Sequence, residues 1–307
     1  GPVRLLLVTQ VGMTVGLAPL MIVLFGQLPL GGTLANLIAV PAFSFLLLPL
    51  TLIGTAMVVL WPGAGGAVLG AAADCFDLWR WFLDWCADLP LAVWYLPAPG
   101  PFAAVLAGIG VVLALWPPPW PGRWLGLGML TGLLAAGSGP VPAGGLRVTV
   151  LDVGQGLAVL VQTAGHALLY DTGPAFRDSD AGERVVVPAL QSMDLRRLDT
   201  LLISHPDADH RGGARSVLER YPAGLLLGAG LDSRRVTPCE AGSGWRWDGF
   251  EFEILSPAAG AAPDDDNAGS CVLRISGAGA RLLLPGDIPA SVEQVLVSDP
   301  DFGPVDL

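Results

Sequence analysis

The stretch Ser204-His205-Pro206-Asp207-Ala208-Asp209-His210 places four metal-ligating side chains, His205, Asp207, Asp209 and His210, within six residues. Imidazole nitrogens and carboxylate oxygens are donors that divalent cations accept. Alternate residues of an extended segment point to one side, so His205, Asp207 and Asp209 are expected to converge. A turn through Arg211-Gly212-Gly213 then brings His210 to the same cavity. Such a cluster is costly unless a cation compensates it. The plainer reading, Asp-Ala-Asp as a turn or a helix N-cap, stands beside this one. Two of the chain's three histidines in one short window favour the metal. The third, His166 in Gly165-His166-Ala167, reads as an exposed hairpin-turn residue and not a ligand.

These residues need elements to hold them. The apolar run Leu198 to Ile203 before the cluster reads as a buried strand. Leu146 to Leu151 alternates as a strand, Asp152-Val153-Gly154-Gln155-Gly156 turns, and Leu157 to Gln162 returns. Ala167 to Tyr170 is a third strand, ending at Asp171-Thr172-Gly173. Glu183 to Met193 and Gly213 to Arg220 read as helices. Ala223 to Leu227, Phe250 to Leu255, Cys271 to Ile275 and Arg281 to Leu284 supply further strands, the last followed by Pro285-Gly286-Asp287. Carboxylates thus sit just past strand ends, where loops build sites. Strand hairpins followed by strand-helix units imply an α/β fold of two sheets with helices outside.

The upstream half has another character. Residues 1–145 carry Arg4, Arg80 and Arg123 against four acids, whereas residues 146–307 carry 13 Arg and 23 acids, a balance of −10. Leu5 to Phe25 is apolar over about the length needed to cross a bilayer. Ala35 to Trp61 is a second such run, and Pro41 and Pro49 inside it mark either a kinked packing helix or a pore-lining break. Ala67 to Leu96 mixes Trp79, Trp81, Trp85 and Trp94 with Asp77, Arg80, Asp84 and Asp88 on roughly one helical face. It reads as interfacial, and if it spans, its acids must face water or a partner. Phe102 to Trp116 and Leu125 to Ala136 form an expected hairpin around a Pro/Trp/Arg spacer. The expected domains are a membrane part over 1–136, a linker over 137–145 and a soluble domain over 146–307.

Cys75, Cys86, Cys239 and Cys271 show neither C-x-x-C spacing nor a disulfide framework and read as small buried residues. Gly1-Pro2 leads at once into apolar sequence, so the chain reads as a piece of something longer.

LDVGQG (Leu151 to Gly156), YDTG (Tyr170 to Gly173), SHPDADHRGG (Ser204 to Gly213), NAGSCVLR (Asn267 to Arg274) and LPGD (Leu284 to Asp287) follow one another in order. In that order they resemble the metallo-β-lactamase-like domain of ComEC, the membrane channel family of bacterial DNA uptake. Gly31 to Pro41 resembles a segment of that family's membrane competence domain. The resemblance implies a multi-helix transmembrane region in the bacterial inner membrane, fused to an α/β metallo-β-lactamase-like αβ/βα sandwich on the extracytoplasmic side. It implies single-stranded DNA, membrane lipid and other competence proteins as partners, with a homo-oligomer as a further expectation.

Carried over by position, His205 and Asp207 would bind one metal, Asp209 and His210 a second, and Asp287 would bridge them. Asp209 or Asp287 would accept a proton as the catalytic base. Asp152 and Asp171 would orient ligands, and Asn267 and Ser270 would line the site or merely form a turn. Arg211 and Arg215 are the nearest candidates for DNA phosphate contacts. Asp207 stands where the wider superfamily has His, and this oxygen-rich set favours two Mn²⁺ ions, with Zn²⁺ the rival. Leu157 stands where many relatives have Asp. The family would continue past Pro304-Val305-Asp306-Leu307 into a His-His-Gly-Ser motif, so one late ligand is expected outside these residues. The implied activity is a metal-dependent nuclease acting on the strand left outside. Its rivals are a membrane-tethered hydrolase of a small phosphodiester or ester, which the acidic balance suits, and a non-enzymatic channel.

Overall fold

Apolar runs become helices because a chain without polar side chains must satisfy its backbone groups within itself. The computed structural model describes residues 1–307 except 90, 91, 98, 118, 119, 135–138, 229–235, 261–265 and 301, as two units, Gly1–Gly137 and Ser138–Leu307.

The first unit runs α1 (Pro2–Phe25), β1 (Gln27–Leu28), α2 (Leu30–Ala42), a wide i→i+5 turn (Phe43–Leu47), α3 (Leu48–Leu60), α4 (Pro62–Ala87), β2 (Trp94–Tyr95), α5 (Pro101–Leu115) and α6 (Arg123–Leu134). Pro41 has no N–H to give the helical ladder, and the wide turn follows directly. Among the described residues, two stretches are long and apolar enough to cross a membrane, Arg4–Phe25 and Leu30–Leu60. The expected Ala67 to Leu96 helix is corrected at both ends. Helix α4 starts at Pro62 and stops at Ala87. Trp94 instead pairs with Leu28 and Tyr95 with Gln27, a partner remote in sequence that helical periodicity cannot reveal.

The second unit runs β3 (Arg147–Val150), β4 (Val159–Gln162), β5 (Ala167–Tyr170), a wide turn (Gly182–Val186), α7 (Val187–Ser192), β6 (Leu198–Ile203), α8 (Ala208–Arg211), α9 (Ala214–Arg220), β7 (Ala223–Gly228), β8 (Val236–Thr237), β9 (Gly244–Trp247), β10 (Phe250–Ser256), a 3₁₀ turn (Asn267–Gly269), β11 (Val272–Gly277), β12 (Ala280–Leu284) and α10 (Ala290–Val297). One sheet has the order β3-β4-β5-β6-β7-β8 and the other β12-β11-β10-β9. Strands β3 to β5 pair antiparallel, β5 to β8 parallel, and the smaller sheet is wholly antiparallel.

Strand β5 shows how the layers form. Its alternation sends Leu169 toward Val186, Leu190 and Val217 on the helical side, and Leu168 and Tyr170 toward Phe252, Leu273 and Leu284 of the smaller sheet. All four residues of β5 are buried, as a strand covered on both faces requires. Truncating such a fully buried Leu to Ala costs about 2–5 kcal/mol.

One reading of the cysteines is overturned. Cys239 and Cys271 form a disulfide with Cα atoms 5.7 Å apart, across 32 residues. Their spacing gave no sign of this, because the fold brings the two positions together. Cys75 and Cys86 are free.

Candidate metal centre

The centre is built at the carboxyl ends of the parallel strands β5 and β6. Tyr170 and Leu202 are paired, so the next residues of both strands leave the sheet side by side. Asp171 turns there into the left-handed region, at φ 58°, which a short polar side chain tolerates. Its amide still bonds Leu202 O, and its carboxylate then continues the ladder by accepting the Ser204 N–H at 2.7 Å.

The other Asp171 oxygen accepts the Ser204 hydroxyl at 2.7 Å and lies 2.8 Å from His210 Nδ1. His205 Nδ1 lies 3.0 Å from Ser204 Oγ. Since that hydroxyl donates to Asp171, it accepts from His205 Nδ1–H, and Asp171 accepts from His210 Nδ1–H. One buried carboxylate thus fixes both imidazole tautomers, directly for His210 and through Ser204 for His205. Sequence reasoning missed Ser204, although its place directly before the first histidine was the available signal.

With both Nδ1 atoms engaged, both Nε2 lone pairs face the same place. One ligand atom each from His205, His210 and Asp287 falls within 4.8 Å of the others. His210 Nε2 lies 3.4 Å from Asp287 Oδ2. His205 Nε2 is buried without a hydrogen-bond partner among the described residues, a costly state for an isolated polar atom and a fitting one for a cation ligand. The residues present therefore fit a divalent metal.

The local chain path follows from backbone bonds. Asp207 is extended and its carbonyl accepts the amides of His210 and Arg211, so the cluster closes as the one-turn helix α8. This corrects the extended path expected through Asp209, because the backbone bonds to the Asp207 carbonyl won over alternation. Thr172 donates its N–H at 2.7 Å and its hydroxyl at 3.0 Å to His210 O. Gly156, at φ 128°, lies where a Cβ would strike the Asp209 carbonyl, so only glycine lets the Asp152–Gly156 loop close on α8. Gly286, at φ 62°, brings the Asp287 loop against Ser204 in the same way.

Among the other predicted residues, Asp207 Oδ2 lies 3.4 Å from His205 Nε2 and is half exposed. Asp209 shares with His210 and Asp287 a groove of about 630 Å³ that also takes in Gln155 and Leu157. Asp152 is exposed and its carboxylate accepts the Gly154 N–H at 3.2 Å, so the structure joins it to its own loop and not to a ligand. Asn267 opens a 3₁₀ turn, and its carbonyl accepts the Ser270 N–H. Ser270 is buried beside Gly286, and its hydroxyl has no hydrogen-bond partner among the described residues. Arg211 lies in α8, and the exposed Arg215 pairs with Glu219 at 2.9 Å. His166 stacks on Trp247 and meets Asp248, away from the centre.

Burial pushes the Asp171 carboxyl up, against the hydrogen bonds from His210 and Ser204. Burial alone would lower the His210 imidazole, but the bond to Asp171 and the charges of Asp171, Asp287 and Asp209 outweigh it and hold it above its ordinary value. Proton and cation therefore compete for His210 Nε2.

Residues 151–307, over half of the chain, match the Metallo-beta-lactamase superfamily. The chain belongs to that superfamily. Residues 2–121 match the Competence protein family, upstream of the metallo-β-lactamase match. The chain is 39% identical over 279 residues to competence protein ComA of Neisseria gonorrhoeae, covering 89% of this chain and 38% of that one. It is 31% identical to the uncharacterized protein YcaI of Escherichia coli K12, covering 94% and 38%. It is 30% identical to recombination protein 2 of Haemophilus influenzae, covering 93% and 40%. This metallo-β-lactamase superfamily chain thus spans about two fifths of the length of the curated relatives it matches.

Proposed function

We propose that this chain is part of a DNA-uptake channel of the bacterial inner membrane, and that its metal domain hydrolyses phosphodiester bonds of the strand not transported. The observation that carries the reading is the convergence of His205, His210 and Asp287 in a chain that also matches the Competence protein family. His205, Asp207, Asp209, His210 and Asp287 hold two divalent ions, and their three carboxylates favour Mn²⁺ over Zn²⁺. Bound metal supplies Lewis-acid polarisation of a phosphoryl oxygen and a water of low pKa. Asp287, half exposed at the groove, and Asp209 are the bases within reach of a proton there. Asp171 and Ser204 keep both histidines in the tautomer that ligation needs.

The membrane reading rests on α1 and the continuous Leu30–Leu60 stretch, and on apolar side chains that face outward, such as Phe45 at 83% and Val59 at 81% exposure. Helices α4 to α6 complete a multi-pass bundle in contact with lipid, working with other competence proteins and as a homo-oligomer. The Cys239–Cys271 disulfide supports an extracytoplasmic metal domain, since disulfides persist in oxidising compartments.

The test is cleavage of single-stranded DNA by the purified protein with Mn²⁺, Zn²⁺ or EDTA, beside Asp209→Ala. Mn²⁺-dependent cleavage lost in the variant is expected. Cleavage of a small phosphodiester without cleavage of DNA would replace the nuclease with the small-substrate hydrolase that the −10 balance suits. Absence of bound metal would end both enzymatic readings.

A further inference from the structure

The second unit carries a cavity of about 200 Å³ at the end of β5 remote from the metal centre. Strand β5 begins at Ala167, which borders the cavity, and ends beside Asp171, so about 13 Å of strand separates the two places. Register builds the floor. Arg147 of β3 pairs with Gln162 of β4, and Gln162 pairs in turn with Ala167. Leu160 packs on the helical side of the sheet and Val161 on the other, so alternation points Gln162, with Arg147 opposite it, toward the helices. The loop between α7 and β6 brings Arg196 and Arg197 to the same cavity, and the linker residues Gly139 to Val141 form a further wall.

The polar groups of this cavity are only partly used. Gln162 is 8% exposed, and its Oε1 is buried with no hydrogen-bond partner among the described residues. An oxygen so left is costly, and a donor entering from the cavity relieves it. Arg147 gives one Nη2–H to Gly139 O at 2.9 Å. Arg197 Nε lies 3.3 Å from Asp199 Oδ1, while Asp199 Oδ2 accepts the Ala167 N–H at 2.9 Å. Arg196 makes no hydrogen bond or ion pair among the described residues. Three arginines thus line the cavity against two aspartates, Asp194 and Asp199, in a domain whose balance is −10.

We propose that this cavity is a binding site for a phosphate group, either inorganic phosphate or the monoester headgroup of a lipid. Arg147, Arg196 and Arg197 hold its oxygens and Gln162 accepts its P–OH. The inference does not rest on the uptake reading. Guanidinium forks match two oxygens of a tetrahedral anion at a time. Three forks exceed what the two oxygens of a carboxylate can take, and they exclude a cation. The orphaned Gln162 Oε1 needs a donor. Inorganic phosphate keeps a P–OH at neutral pH and a monoester keeps one below a pKa of about 6, whereas sulfate, of the same shape, has none. A phosphate held there ties the linker, through Arg147, to the loop that carries Arg196 and Arg197.

The experiment titrates the full chain, in phosphatidylcholine nanodiscs at about pH 6, with inorganic phosphate by calorimetry. Titrations with and without EDTA tell this site from binding at the metal centre. Phosphate is expected to bind in EDTA, and about tenfold more tightly than sulfate. Arg147→Gln is expected to weaken it about tenfold, and Arg196→Ala, at an exposed position without an ion pair, about threefold. Gln162→Leu is expected to remove the preference over sulfate. No phosphate binding in EDTA, binding that neither arginine variant weakens, or sulfate bound as tightly as phosphate overturns the site. Discs with phosphatidic acid, compared with discs holding as much phosphatidylglycerol, whose diester has no P–OH, separate the two sources. Weaker phosphate binding in the phosphatidic acid discs assigns the cavity to a lipid headgroup, and equal binding in both assigns it to the free anion.

Discussion

Two histidine–aspartate pairs in the metal domain use the same atoms and differ in consequence. His210 Nδ1 lies 2.8 Å from Asp171 Oδ2, with side chains 3% and 0% exposed. His166 Nδ1 lies 3.3 Å from Asp248 Oδ2, with side chains 34% and 29% exposed. Water screens the second pair, whereas the first acts in a medium where charge carries further. The other face of each ring decides its role. His210 Nε2 meets Asp287, whereas the His166 ring stacks on Trp247 at 4.8 Å and 7°. Asp248 also accepts the Thr163 hydroxyl at 2.7 Å and the Gly165 N–H at 2.8 Å, so the exposed pair clasps two hairpin turns. An aspartate beside a histidine orients a ligand only where burial and a second set of donors direct the free nitrogen.

The comparison is broken most sharply at Asp171. Asp171→Ala removes the partner of a buried group and is expected to cost about 3–5 kcal/mol in urea unfolding. It is also expected to lower metal affinity about 10–100-fold by calorimetric titration. Unchanged affinity would refute its orienting role.

Reducing the disulfide tests the staple beside the buried pair, because the Cys271 N–H donates to Ser204 O at 2.8 Å. For a loop of 32 residues the expected loss is about 3–4 kcal/mol. Metal affinity is expected to fall with it, while the Gly165 amide keeps its protection from hydrogen exchange.

Ser204→Ala separates His205 from Asp171 but leaves His210 bound to it. About a tenfold loss of metal affinity is expected, at the lower end for groups behind a ligand, with Asp171→Ala adding little further for His205. Unchanged metal affinity would mean that the relay through Ser204 is not how His205 is held.

The smallest effect belongs to the exposed pair. The Thr163 hydroxyl first, then the Gly165 N–H and His166, hold the Asp248 carboxyl below its usual range. Its folded pKa is depressed, so its contribution to stability is present above the usual carboxylate range and is lost as pH falls through the lowered value. Asp248→Asn is expected to flatten that acid dependence in thermal melts and to leave metal affinity unchanged. A fall in metal affinity would erase the distinction between the pairs.

Much of this was legible because local rules and tertiary outcome agreed. Ala167 to Tyr170 and Leu198 to Ile203 match β5 and β6 residue for residue, since strands buried on both faces read as mainly apolar runs. Strand β9 went unread although Asp248-Gly249 between Trp247 and Phe250 is a hairpin signal, because the Trp245-Arg246-Trp247 alternation spans only four residues from Gly244 to Trp247. Short α8 was hidden by the competing extended reading of the same residues.

The sequence by itself determined that this chain has an apolar half and an acidic half, and that the second carries histidines and carboxylates spaced for a metal. Those are properties of residue type and local period. The tertiary structure alone decided that Asp171 serves both histidines, that Ser204 joins them, that Asp287 arrives from 77 residues beyond His210, and that Cys239 meets Cys271. Those contacts join positions whose separation in sequence carries no information about their distance in space. Burial, which gives them their strength, exists only once the two sheets have closed.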